Sequence, residues 1–144
     1  MLLLTNNENT VVKCYAFDAL LQRENIDILS IVLKHVNDTS SVHTMMGDVG
    51  ITWQTGRYFF LKVDPRYNES KMYTLTQSQV ATVDSILIFD KTIKIGLKTE
   101  LLYQLKPDAK YYKRVREIGK LEHNLAAVCA LARYMNRNDI PLIK

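Results

Sequence analysis

The stretch from Asp108 to Asn138 constrains this chain most, because it carries the one long helical signal in the sequence. Ile118, Leu121, Leu125, Val128, Ala132 and Met135 recur at steps of +3, +4, +3, +4 and +3, which lays one apolar stripe along an α-helix. The segment is rich in Ala, Leu, Arg, Lys and Glu, all good helix formers. Pro107 and Asp108 suit its start, with Asp108 as N-cap, and Asn136, Asn138 and Pro141 suit its end. Gly119 is the weak point, costing about 1 kcal/mol relative to Ala, and marks a bend or a close approach to another backbone.

A second stripe runs beside the first. Lys113, Arg116, Lys120 and His123 step by +3, +4 and +3, on the face roughly opposite the apolar one. From Lys106 to Lys120 there are six Lys and Arg against Asp108 and Glu117, a balance of +4; the whole chain is also +4, so everything else sums to zero. That concentration of charge is the main functional clue in the sequence.

A length of 144 residues fits a single globular domain, 1–144. A hydrophobic fraction of 47% and a charged fraction of 24% argue against disorder. No apolar run approaches the roughly 18 residues that span a bilayer. The opening MLLLTNNENT lacks the basic start of a signal peptide. Cys14 and Cys129 both sit in apolar settings, which predicts two reduced, buried thiols and a cytoplasmic location.

Along the chain, Leu2–Leu4 and Thr10–Tyr15 flank a polar turn and read as a hairpin. Residues 17–36 read as helix with a break near Asn25-Ile26-Asp27, and Asp18 and Asp27 are candidate caps. Residues 37–50 lack periodicity and read as a long loop. Ile51–Gln54 with Arg57–Val63, then Lys71–Thr76, then Ser85–Phe89 with Thr92–Leu97 read as about five strands, separated by the turn chemistry of Asp64–Ser70. Gln77–Val83 is ambiguous between helix and loop, and Glu100–Leu105 reads as a turn or two of helix. The connections are too short for parallel crossovers. The expected class is therefore α+β: an antiparallel sheet of about five strands, helices packed on one face, and a long C-terminal helix whose stripe covers the sheet. On that arrangement Leu125→Asp unfolds the protein.

The three histidines show no recognised metal-ligand spacing, and no cofactor motif is present. There is no GxSxG, and neither cysteine has a basic local setting. The candidate binding set is Lys110, Lys113, Arg114, Arg116, Lys120 and His123, cations placed to track phosphates. Tyr103, Tyr111, Tyr112, Tyr58 and Tyr73 are available to stack bases. This predicts a small non-enzymatic binding protein engaging an anionic partner, nucleic acid before an acidic protein surface, without a membrane. Two alternatives stand beside it. One is a structural or assembly subunit, with homo-oligomer formation; the Asn-, Lys-, Ile- and Tyr-rich usage is compatible with an AT-rich viral or mobile-element genome. The other is a metal-independent ribonuclease built from His43, Arg57, Tyr58 and the basic helix.

Overall fold

The computed structural model describes residues 2–68, 73–93 and 96–143. The chain is 61% helical, with eight α-helices and one two-stranded antiparallel sheet among the described residues. It divides into two compact units, one of Met1–Val83 with Ile93–Ile95, the other of Asp84–Thr92 with Gly96–Lys144.

In the first unit a 3-10 turn (Leu2–Asn6) leads to α1 (Thr10–Leu20) and α2 (Ile28–His35). The Asn9 side chain accepts from the amides of Val11 and Val12, and Asp27 accepts from Ser30, so each helix starts on a side-chain cap. Asn25, at φ 59°, turns the chain between them. Strand β1 (Ser41–Met46) pairs with β2 (Val49–Gln54), Val42 opposite Trp53 and Thr44 opposite Ile51. Gly47 takes φ 64° at the first position of the two-residue turn, the backbone that a twisted hairpin needs. Helix α3 (Thr55–Val63) follows directly. Phe17 of α1 and Phe59 of α3 stack at 4.0 Å between ring centroids, and Leu20, Ile28, Val32, Phe60 and Val63 are buried with them. Gly56 is obligatory: a Cβ there would stand 2.4 Å from the carbonyl oxygen of His35.

The second unit is helical. Helix α4 (Gln77–Phe89) begins in the first unit and ends in this one, and is followed by α5 (Leu97–Gln104), α6 (Ala109–Leu121) and α7 (Leu125–Arg133). A 3-10 turn (Arg137–Asp139) leads into the short α8 (Ile140–Ile143). Leu87, Leu97, Leu101, Leu102, Val115, Ile118 and Leu131 are all 1% exposed or less. The Arg133 guanidinium donates to the carbonyls of Leu102 and Leu105, satisfying backbone acceptors that the end of α5 leaves open. No helix among the described residues is long and apolar enough to cross a membrane.

The five-stranded sheet is not formed, and the reasons are local. The presumed loop 37–50 contains β1; the Gly47-Asp48 dipeptide was its signal, but the strand leaves His43 and Met45 exposed and shows no apolar alternation. β2 was expected as a strand, yet its partner is 41–46 and not 57–63. The aromatic run of Arg57–Val63 is helical because Phe59, Phe60 and Val63 fall on one buried face. Ser85–Phe89 belongs to α4, whose buried positions Val80, Val83 and Leu87 step by +3 and +4; a five-residue window is too short to separate that period from alternation. Thr10–Tyr15 is the start of α1 and not a hairpin arm, and Asp18 lies inside that helix. Lys71–Thr76 falls partly outside the described residues, as does Thr92–Leu97; Tyr73–Thr76 carries no regular element. The helix break at residues 25–27 and the Asp27 cap are found as expected; the turn expected over Asp64–Ser70 is present at Pro65–Tyr67, residues 69–70 lying outside the described residues, and the helix expected over Glu100–Leu105 is Leu97–Gln104.

The long C-terminal helix is two helices. The Glu122 C-cap, His123 at φ 49° and the Asn124 N-cap, which accepts from Ala126 and Ala127, interrupt it. The expected apolar stripe does not form a core: α6 buries Val115, Ile118 and Gly119 and leaves Leu121 out, and α7 starts in a new phase after the break. Ile118 is buried, but Leu121, Leu125 and Met135 are 65%, 73% and 89% exposed. Ala126, Ala127, Ala130 and Leu131 are buried in their place.

Candidate functional site

Helix α6 is positioned by its start and by one buried side. The Asp108 carboxylate accepts from the Lys110 amide, and the Asp108 backbone exchanges hydrogen bonds with the Tyr134 hydroxyl. Tyr111, Arg114, Val115, Ile118 and Gly119 face inward. That leaves Lys113, Arg116 and Lys120 on the outer side, spread over about 10 Å of helix axis at 1.5 Å per residue.

The expected cations do not play one role. Lys113 and Lys120 are exposed, and no acidic group among the described residues stands within ion-pair distance of them. Arg116 is half-fixed: its Nε donates to Asp139 at 2.8 Å, while the rest of the side chain stays 44% exposed. Asp139 is fully buried and also accepts from the Tyr112 hydroxyl at 2.9 Å. Lys110 lies over the Tyr111 ring at 4.4 Å and 3.9 Å from Asp108. His123 is exposed at the helix break.

Arg114 is withdrawn from the surface. It is 6% exposed, donates from Nε to the Ile88 carbonyl at 3.0 Å, and pairs with Glu122 at 3.0 Å and Glu117 at 3.2 Å. Lys91 pairs with Glu117 from the other side at 2.6 Å and, with Arg114, holds the Glu117 carboxyl below its usual range. The aromatic half of the expected interface also dissolves. Tyr111 is buried with its hydroxyl on Ser85, and Tyr112 is engaged by Asp139, while Tyr103 is exposed on α5.

The second unit carries eleven Lys and Arg against seven Asp and Glu; the first carries eight of each. The whole net charge of +4 therefore resides in the unit that contains α6.

His43, Arg57 and Tyr58 are in the first unit. His43 and Tyr58 line a pocket of about 450 Å³ with Val11, Cys14, Tyr15 and Val42. His43 Nδ1 is 3.2 Å from the Thr52 hydroxyl. Arg57 lies over the Trp53 ring at 4.6 Å. Tyr58 donates to Asp18 at 2.7 Å, and burial together with that bond raises its pKa far above the ordinary phenol value, so it acts as a fixed donor. Burial pushes the Cys14 thiol up to about 12, so it stays protonated. Cys129 is exposed, against expectation, and both cysteines are free. The pocket was invisible in the sequence because α1, β1 and α3 each supply part of it. His35, which had no ligand-like spacing, meets Asp38 at 3.5 Å, and the Lys13 ammonium meets the same carboxylate at 2.7 Å. No group of three His, Cys, Asp or Glu among the described residues could hold a metal. Comparison with family models, with curated proteins and with solved structures gave no match for this chain.

Proposed function

We propose that this is a non-enzymatic binding protein that engages an anionic partner, nucleic acid first, through the outer face of α6. The observation that supports it is the exposure of Lys113, Arg116 and Lys120 on one side of a helix in the unit that carries the whole net charge. A span of about 10 Å meets roughly three phosphates of one strand, at one per 3.4 Å. With most of the nearby tyrosines engaged elsewhere, recognition runs through the phosphate backbone and is tolerant of base sequence. Its free thiols suit a reducing cytoplasmic setting.

Fluorescence anisotropy with labelled single-stranded and duplex RNA and DNA tests the reading. Log affinity should fall linearly with log salt, and Lys113→Ala and Lys120→Ala should each lower the slope by roughly 0.7–0.9. No binding at low salt, or an unchanged slope in the double variant, refutes it. A second reading, docking on an acidic protein surface, is favoured by the exposed Leu121, next to Lys120 in the chain, and the exposed Leu125 at the start of α7. It predicts that Leu125→Ser weakens binding, which phosphate tracking does not.

A further inference from the structure

Arg116 differs from the two lysines of its stripe in how it is held. Its Nε donates to Asp139 Oδ1 at 2.8 Å, and that carboxylate is fully buried. The other oxygen of Asp139 accepts from the Tyr112 hydroxyl at 2.9 Å, and the same hydroxyl accepts from the Asn136 side-chain amide at 2.7 Å. Asn136 also caps the 3-10 turn Arg137–Asp139: its side-chain oxygen accepts from the Asn138 amide at 3.0 Å, and its carbonyl accepts from the Asp139 amide at 3.0 Å. Asp139 is therefore fixed through its backbone and through its carboxylate. A guanidinium carries five N–H donors in one rigid plane. Asp139 takes the Nε donor. The donors on the two Nη atoms have no partner among the described residues, and the side chain is 44% exposed. Lys113 and Lys120 are exposed, with no such anchor among the described residues.

We propose that Arg116 is the orienting contact of the α6 surface, its two Nη groups gripping two oxygens of one backbone phosphodiester of a nucleic acid, with buried Asp139 as the positioning residue. This rests on the reading of α6 as a nucleic-acid-binding face. The Arg116–Asp139 pair is neutral as a unit. Arg116 thus supplies direction, through a planar fork that matches a phosphate, while Lys113 and Lys120, about one turn to either side, supply net charge. Anchoring Nε in the free protein also removes ordering that a mobile arginine would undergo on binding. A lysine at 116 separates the two jobs: its one ammonium satisfies Asp139 and leaves no second group for the phosphate.

The probes are a labelled oligothymidylate and a labelled DNA duplex, titrated into the full-length protein over a range of salt. Arg116→Lys should melt with the parent, yet bind about five- to twentyfold more weakly at every salt concentration, with the salt slope unchanged to within about 0.3. Lys113→Arg, an exchange of unanchored cations, should stay within about twofold. Side-chain NMR of the parent is the second measurement, and it decides the matter if Arg116→Lys does not fold. The Arg116 Nε–H should be slow to exchange in the free protein, and its Nη signals should shift and split on saturation with the probe while Nε stays in place. Binding by Arg116→Lys as tight as the parent's, a slope lowered as in the Lys113→Ala variant, or Nη signals that do not move would each overturn the proposal and leave the broader reading standing. If the parent binds neither probe at low salt, both fall.

Discussion

Arg114 and Lys113 are neighbours in sequence, and their variants should behave oppositely. Replacing Arg114 by alanine removes a side chain that is 6% exposed. The Ile88 carbonyl loses its guanidinium donor, at a cost of about 1–3 kcal/mol. Loss of the buried aliphatic stem adds about 1.5 kcal/mol, at roughly 0.8 kcal/mol per methylene. The ion pairs add less than about 1 kcal/mol, because Glu117 and Glu122 are 33% and 41% exposed and recover hydration. The sum is about 3–5 kcal/mol, a large share of a typical domain's stability of about 5–15 kcal/mol. Urea denaturation followed by circular dichroism, with hydrogen exchange of the α6 amides, measures it. Lys113→Ala, which removes an exposed side chain, should stay within about 0.5 kcal/mol of the parent and change only the salt dependence of binding. If Arg114→Ala is as stable as Lys113→Ala and instead lowers anion affinity, the assignment of Arg114 to the interior is wrong.

Three further outcomes follow from the packing. Gly56→Ala should be severely destabilising, because its Cβ would meet the His35 backbone at 2.4 Å; Gly119→Ala should stabilise by up to about 1 kcal/mol, since its Cβ would meet nothing nearer than the Leu131 methyl at 3.5 Å. Equal melting points for the two variants would contradict both statements. Leu125→Asp should be tolerated within about 0.5 kcal/mol, since Leu125 is 73% exposed and begins α7, where an acidic side chain suits the helix dipole, whereas Leu131→Asp should unfold the second unit. Acid should weaken the first unit in two steps. Burial lowers the His35 pKa against the opposing pull of Asp38, so the unfolded chain binds the extra proton and stability falls as pH drops below about 6.5. Asp38 is raised by burial but lowered more by its bonds from Lys13 and Ser40, to about 2 from 3.8; its contribution, full above 3.8, is lost as pH falls toward 2. A denaturation midpoint that is flat from pH 7 to pH 5 would refute the first step.

Two helix caps, one break and the place of the charge were legible in the sequence because each depends on a few adjacent residues; the Asn9 and Asn124 caps and the break at residues 122–124 were not, and Asp18, read as a cap, lies inside α1. Asp27 and Asp108 cap the helices that were assigned to them, the chain turns at Asn25, and the unit containing Lys106–Lys120 carries the net charge. Strand identity was not legible where apolar windows were short, and β1 was missed because both sides of its middle are partly open.

The candidate site divides in the same way. That α6 presents cations was written in its spacing; that Arg114 points inward while Lys113 and Lys120 remain on the surface depended on which side met Ile88 and Glu122. The stripe Ile118, Leu121, Leu125, Val128, Ala132 and Met135 shows the limit most clearly. It is a valid helical period, but it assumes one unbroken helix. Leu121 already falls off the buried side of α6; beyond it one residue with positive φ, His123, and one cap, Asn124, reset the phase, and the small side chains Ala126, Ala127 and Ala130 are the ones α7 buries. Periodicity determines that a helix has an apolar side; which side is covered is decided by the neighbouring element, whose shape the local sequence does not contain.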